Sequence, residues 1–461
     1  MSDAVATDPA TAFITAACVP RAGGHASCTL EEASAILAAY PEVAGASIHT
    51  AAILGDDVAL RGFLAADPAN ATVGGGPYGW DALTHLCFSR YLRLDPARSE
   101  AFVRAAAALL DAGARAGTGW LRENHQPWPE WESALYGAAG VAHHPGLTRL
   151  LLQRGANPND KEVPYHVPEG YDNAALEVLV ESRTLTKDSL STMLLRKTDW
   201  HDLDAIRFLL ERGADPNRAT WWGRNAFQHA LLRDNALEIV EAMLDHGADP
   251  ALLATSLDQP SAPTPPVSAV QLAAWRGRGE VLEAFARRGI RSALQGVDRL
   301  IAACARGDGA AARELAREPG LVGGLLADGG TLLANFAGVG NVPGVGLLLD
   351  LGVPVAAPYQ RRDTYFGIAT DGMALHVAAW RARPAVVALL LARGAPVGAP
   401  DGAGHTPLQL AVRACVDSYW MRQRTPESVR ALLDAGASIV AVPYPSGYAE
   451  VDELLQRHGA S

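Results

Sequence analysis

Residues 209–217 read LLERGADPN, and the fold turns on this stretch. Leu209 and Leu210 belong to the apolar face of a helix that ends just before Gly213. A glycine there supplies the left-handed residue that closes a helix without a Cβ clash. Ala-Asp-Pro-Asn then leaves as a turn, because the residue before a proline disfavours helix. The phrase recurs as LLDAGA (Leu109–Ala114), LLQRGANPN (Leu151–Asn159), MLDHGADP (Met243–Pro250), LLDLGVPV (Leu348–Val355), LLARGAPV (Leu390–Val397), LLDAGASI (Leu432–Ile439) and LLQRHGA (Leu454–Ala460). A degenerate copy, FARRGI, ends at Ile290. The step from Gly213 to Gly247 is 34 residues, and those from Gly113 to Gly155, Gly247 to Gly289, Gly352 to Gly394 and Gly394 to Gly436 are each 42.

A second phrase precedes each leucine pair. Its clearest copies are GHTPLQLAV (Gly404–Val412) and MALHVAAW (Met373–Trp380), and weaker ones are IHTAA (Ile48–Ala52), SALYGAA (Ser133–Ala139), NAFQHA (Asn225–Ala230) and SAVQLAA (Ser268–Ala274). Together the two phrases resemble the ankyrin repeat, whose first helix opens with Thr-Pro-Leu-His and whose second ends in Leu-Leu-x-x-Gly-Ala-Asp-x-Asn. The likeness runs from about Ser47 to Ala460. It implies an all-α fold: a solenoid of stacked helix-turn-helix units with β-turn fingers. The family period is about 33 residues, so steps of 42 imply inserted loops of roughly nine residues. The longer gaps, 155 to 213 and 289 to 352, should each hide one degenerate unit, for nine to eleven in all over residues 46–461. Tyr171–Trp200 reads as one irregular unit whose second helix includes Leu190–Leu195. Only Thr406-Pro407 keeps the Thr-Pro pair, so most units should lack the capping hydroxyl and the first-turn proline. Residues 1–28 read as a disordered tail and 29–45 as a capping segment, with a helix over Glu31–Ala39 opened by the capping-box pattern Thr29-Leu30-Glu31-Glu32.

Composition bounds the function. Of 461 residues 49% are hydrophobic, which supplies core for an elongated array rather than one globule. The net charge of −11 and the lack of a Lys/Arg run argue against nucleic-acid binding. No stretch approaches the ~18 apolar residues of a membrane span. Five dispersed cysteines without a CxxC fit a reducing, cytoplasmic setting better than disulfides or zinc. The Ala/Gly/Arg-heavy vocabulary looks bacterial. A monomer is expected.

No motif for catalysis, a cofactor or a metal stands out. His143 and His144 are adjacent and cannot converge on one ion from regular structure. His49, His85 and His376 occupy the first-helix histidine position, where the ankyrin resemblance has them satisfy backbone groups between fingers. His25 and Cys28 form a His-x-x-Cys in the tail, with nothing to hold a base in place.

The aromatics carry the functional reading. Trp275-Arg276 and Trp380-Arg381 share one register, at the end of a first helix, which the resemblance places on the concave face. Trp221, Trp222 and Arg224 flank Gly223 at a finger tip, and Tyr365 precedes Gly367 in the same way. Tryptophan and arginine dominate binding hot spots. These eight residues are the expected partner-binding stripe, with the arginines meeting acidic groups of a protein or peptide. The rings could instead pack between fingers. The inserts Val73–Gly79, Gly117–Trp131, Gln259–Pro266, Val355–Asp371 and Val416–Pro426 serve equally as binding loops or inert spacers. A regulatory or effector role and, remotely, an enzyme built in the inserts are the competing classes.

Overall fold

The computed structural model describes residues 8–19, 29–124, 129–253, 266–290, 294–359, 363, 365–418 and 424–460. His25 and Cys28, most of the Gln259–Pro266 insert and parts of three others lie outside these. The chain divides into two compact units, Met1–Ala226 with Asp245–Ala248, and Phe227–Leu244 with Asp249–Ser461.

In the first unit, α1 (Pro9–Ala17) and α2 (Glu31–Ala39) precede five helix pairs. These are α3 (Ile48–Leu54) with α4 (Asp57–Ala66), then α5 (Ala82–Cys87) and a short α6 (Arg90–Leu94) with α7 (Ser99–Asp111). Next come α8 (Ala134–Tyr136), prolonged by a π-helical turn over Gly137–Val141, with α9 (Pro145–Gln153), then α10 (Glu162–His166) with α11 (Ala174–Glu181), and α12 (Lys187–Thr198) with α13 (Leu203–Glu211). First helices pack on first helices (α3 on α5, α8 on α10, α10 on α12) and second on second (α4 on α7, α7 on α9, α9 on α11). A hairpin of β1 (Gly119–Arg122) and β2 (Glu130–Ser133) forms the finger ahead of α8.

The second unit carries six pairs: α14 (Ala226–Leu232) with α15 (Leu237–Asp245), α16 (Ala269–Trp275) with α17 (Gly279–Arg287), and α18 (Val297–Ala305) with α19 (Gly309–Leu315), followed by an extra α20 (Leu321–Ala327). Then come α21 (Gly329–Val339) with α22 (Val342–Asp350), α23 (Ala374–Trp380) with α24 (Pro384–Ala392), and α25 (Pro407–Val416) with α26 (Glu427–Asp434); α27 (Ala449–Arg457) closes the described chain. The two-residue strands β3 (Pro358–Tyr359) and β4 (Gly372–Met373) pair in the finger before α23. Here too α21, α23 and α25 stack in series, as do α22, α24 and α26. The α18 pair interrupts the pattern: α16 touches both α18 and α21, and Asn341 Nδ2 donates to Gly277 O at 2.7 Å and Ala305 O at 2.6 Å.

The leucine phrase does what its chemistry requires. Leu109, Leu151, Leu209, Leu348, Leu390 and Leu432 are fully buried, each worth roughly 1.5–3 kcal/mol of transfer from water. At the end of α24, Gly394 has φ +81°, and Ala395 N–H donates to Leu390 O at 3.0 Å. A Cβ there would meet nothing within 4 Å. Gly394→Val should therefore cost backbone strain alone, about 1–2 kcal/mol. Chemical denaturation checks this, and a curve overlaying wild type would mean that Gly394 does not terminate the helix.

Several expectations need correction. The segment 1–28 is not a disordered tail throughout: Asp8 caps α1 by accepting from Thr11 N–H at 3.0 Å, and Phe13, Ile14, Ala17 and Cys18 are buried. Arg90 Nη1 donates to Ala16 O at 2.7 Å, and Val19 N–H to Phe88 O at 2.9 Å. The α2 helix has the expected bounds but no capping box, since Leu30 is its cap and offers no side-chain bond. It packs on α1 and on the 3-10 turn Pro41–Gly45. Leu190–Leu195 belongs to α12, the first helix of a pair rather than a second; the hidden unit is α10 with α11. Caps are also commoner than the lone Thr-Pro implied. Ser47, Asp81, Ser133, Thr186 and Ser268 each accept a first-turn N–H, as Thr406 does.

Among the described residues no single helix is long and apolar enough to cross a membrane, and no three His, Cys, Asp or Glu side chains gather as metal ligands would. Cys18, Cys87, Cys304 and Cys415 are buried free thiols.

Candidate functional site

In the first unit, a tight turn presents two tryptophans. Thr220 N–H donates to Arg224 O at 2.8 Å, Gly223 N–H donates to Thr220 O at 2.9 Å, and Gly223 takes φ +82°. Trp221 is 66% exposed. Its ring stands edge-on to Trp222 (4.9 Å, 81°), and Trp222 stands edge-on to Tyr165 (5.8 Å, 71°). Edge-to-face pairs of this kind are worth about 0.5–1.5 kcal/mol beyond their buried area, so the finger is braced from below. Arg224 is half-buried at the turn's end.

An ionic ladder backs Tyr165. The Arg196 guanidinium lies 4.1 Å above the Tyr165 ring, donates from Nε to Tyr165 O at 3.2 Å and from Nη2 to Glu169 Oε1 at 3.0 Å, and pairs with Asp199. His166 bridges Glu162 (3.2 Å) and Glu169 (3.0 Å). Burial opposes charge on this imidazole, but the hydrogen bonds and charges of the two carboxylates outweigh it and carry its pKa to about 9. Glu132, on β2, is fully buried; burial and then the charge of Glu162 raise its carboxyl to about 7, against the pull of Arg122.

The second unit treats the Trp-Arg pairs differently. Arg276 grips Asp234 with two donors, Nε to Oδ1 at 2.8 Å and Nη2 to Oδ2, while its Nη1 donates to Asn335 Oδ1 at 3.3 Å. Arg381 donates from Nη1 to the same Asp234 Oδ2 at 2.5 Å and lies 4.1 Å over the Phe366 ring. Burial disfavours the Asp234 carboxylate, yet the two guanidinium charges outweigh that and hold its pKa well below the usual range. Trp380 is 8% exposed, packs with Leu410 and Ala414, and donates Nε1–H to Phe366 O at 2.5 Å. Tyr365 sits half-buried under Arg233 at 3.8 Å and edge-on to Phe366. Trp275 is half-buried and donates Nε1–H to Asp298 Oδ1 at 2.7 Å.

The eight residues expected to form one stripe therefore fall into two groups. Trp221, Trp222 and Arg224 belong to the finger. Arg276, Trp380, Arg381 and Tyr365 converge on Asp234 and Phe366, with Trp275 beside them. The expectation of open Trp-Arg pairs is corrected for Trp380 and Arg381, which are buried, and for Arg276, whose three donor groups bond within the fold. The cause is Asp234, an acid the stripe reading overlooked. The sequence offered a signal for it: in HALLRDNAL, Asp234 stands at the turn position that Gly277 and Ala382 hold in the Trp-Arg copies, and all three take positive φ. Tyr165 and the Glu162–His166–Glu169 bridge were also overlooked, because their pair, α10 with α11, lacks the leucine-glycine phrase, and Arg196 on the next pair's α12 went with them.

Three further histidines bond to the backbone. His49 Nε2 lies 3.0 Å from Val73 O and His376 Nε2 2.9 Å from Ala399 O, each tying a helix to the next finger. His144 accepts from Leu147 N–H at 3.0 Å as the cap of α9.

Residues 348–411, from α22 into α25, match the family model of ankyrin repeats (many copies). No curated protein matches the chain.

Proposed function

This chain is an ankyrin-repeat protein, and we propose that it is a non-catalytic scaffold, its helix pairs stacked as a solenoid, that grips a partner protein with the Thr220–Arg224 finger. Ankyrin repeats in general are protein-interaction modules, and repeat arrays bind along extended surfaces. The observation that carries the reading is Trp221: a large ring, 66% exposed, on a turn braced by Trp222 and Tyr165. Rigid, exposed aromatics bury much area on binding at little entropic cost. The buried thiols and the net charge of −11 fit a monomer in a reducing cytoplasm.

Trp221→Ala and Trp222→Ala, each used to capture partners from the source cells beside wild type, test this. Loss of a hot-spot tryptophan costs about 2–4 kcal/mol of binding, so the partner retained by wild type should be depleted at least ~30-fold. Undiminished capture by both variants would remove the finger from the binding surface.

A further inference from the structure

The β1–β2 finger of the first unit buries an acid and exposes two large apolar side chains. Along a strand, side chains alternate between faces, and residues directly opposite each other share one. Trp120 stands opposite Glu132, and Leu121 opposite Trp131. An antiparallel pair laid on a core turns its apolar face inward and its polar face to water. Here Leu121 and Trp131 are 45% and 43% exposed, while Glu132, on the face of Trp120, is fully buried. The base of the finger is tightly made. Ala134 N–H donates to Thr118 O at 2.7 Å, Thr118 Oγ1 donates to Asp81 Oδ2, and a Cβ on Gly119 would stand 2.2 Å from Glu132 O. Beyond the base, β2 packs on α10.

The buried acid is poorly met. Arg122 Nη1 stands 3.5 Å from Glu132 Oε1, longer than a good hydrogen bond, and Oε2 is buried with no donor among the described residues. A carboxylate so placed is strongly disfavoured, and the neutral acid far less so. The surrounding groups do not reverse this. β1 supplies only the distant Arg122. On α10, Glu162 opposes a second negative charge, and His166 favours one but is held between Glu162 at 3.2 Å and Glu169 at 3.0 Å. On α8, the Tyr136 phenol stays protonated, pushed up by burial and then by Glu132, Glu162 and Glu169. The segment entering α10 brings Lys161, which lies 3.5 Å from Glu130, and Asp160, which accepts from Ser133 Oγ at 2.7 Å. Burial raises Asp160 to about 6 against its bonds from Val163 N–H and Ser133. Burial and then Glu162 raise Glu132 to about 7.

We propose that the β1–β2 finger is a proton-linked switch: seated on α10 it holds Glu132 as a neutral acid, and ionisation of Glu132 drives the strands off α10, carrying the carboxylate into water. Each opening releases one proton to solvent. A seated acid titrating above its free value favours opening as pH rises from about 4.3, the ordinary glutamate value, to about 7, with no further change above that. Between pH 6 and 8 the open population should therefore grow about tenfold. The switch is independent of the tryptophan finger, and its test involves neither Trp221 nor Trp222.

Oxidative footprinting of the full chain at pH 6 and pH 8, read by mass spectrometry, tests this. Trp120 is buried in the seated finger, and Trp131 on the opposite face is already exposed. The ratio of their labelling therefore follows the opening and cancels the pH dependence of the reagent. The variants are Glu132→Gln, which keeps the size of the acid but has no proton to lose, and Glu123→Gln, an exposed control just past β1. In wild type and in Glu123→Gln the ratio should rise about tenfold from pH 6 to pH 8. In Glu132→Gln it should stay at the value for pH 6. An equal rise in Glu132→Gln assigns the response to another group, Asp160 among them, and overturns the switch. A flat wild-type ratio overturns it without any variant. Urea midpoints give a second reading. Glu132→Gln should exceed wild type at pH 8 and approach it at pH 5, and a variant weaker than wild type at pH 8 overturns the neutral acid.

Discussion

Asp234→Asn is expected to destabilise the fold by about 3–5 kcal/mol, the cost of removing one partner from a buried ion network. Asparagine keeps the size of the side chain and tolerates the φ of +50° at this turn, so the loss reports charge alone. Arg276 and Arg381 would remain buried with no shared acid. The pH dependence has a definite sign. The folded carboxyl titrates well below its unfolded value of about 3.9, so its contribution is complete above that value and falls away as the solution is acidified through the folded pKa. Wild type and variant should differ fully at neutral pH and converge in acid. Repeat arrays can melt in segments, so an early transition in urea is an acceptable form of the loss. Coincident urea curves at pH 7 would show that the network is not holding these helix ends together.

Trp380→Ala should cost about 3–5 kcal/mol of stability, as an aromatic core truncation does, whereas Trp221→Ala should cost no more than about 1.5 kcal/mol, the worth of its one edge-to-face pair. The two rings come from the same kind of reading, and their surroundings separate them. Trp380 is packed by Leu410 and Ala414, covered by Arg413 at 5.2 Å and bonded to Phe366 O; Trp221 stands edge-on to Trp222 and is otherwise largely exposed. Parallel denaturation of the two proteins checks the pair. Similar losses in both would mean that the finger is part of the core. A stable Trp380→Ala would mean that its pocket collapses without penalty.

Much of the helical layout was legible because its signals are local. Leu209-Leu210 and Gly213, or Leu390-Leu391 and Gly394, state a helix face and its end within six residues, and the spacing of the copies states the repetition. The first helix of the chain was illegible for the opposite reason. Pro9–Ala17 is short, and its buried Phe13 meets Tyr91, more than seventy positions on. The partner stripe was half legible. Register placed Trp275 and Trp380 alike, but exposure depends on what faces a side chain, and the facing groups, Asp234 from the α14 pair and Phe366 from the inserted finger ahead of α23, are not set by register. The finger at Trp221 was readable because Gly223 marks a turn whose neighbours in sequence are also its neighbours in space.

The four buried thiols have a use as clocks. Cys18 and Cys87 lie in one unit and Cys304 and Cys415 in the other. Burial pushes every one of these thiols up, Cys304 to about 12, so each is doubly silent toward an alkylating reagent, being both shielded and protonated. Reaction at any of them then requires the surrounding helices to part. Its rate measures the free energy of that local opening rather than of global unfolding. Mass spectrometry of time-quenched alkylation would give four opening energies along a single chain, with Cys18 timing the release of α1 and Cys415 the loosening of the α25 pair.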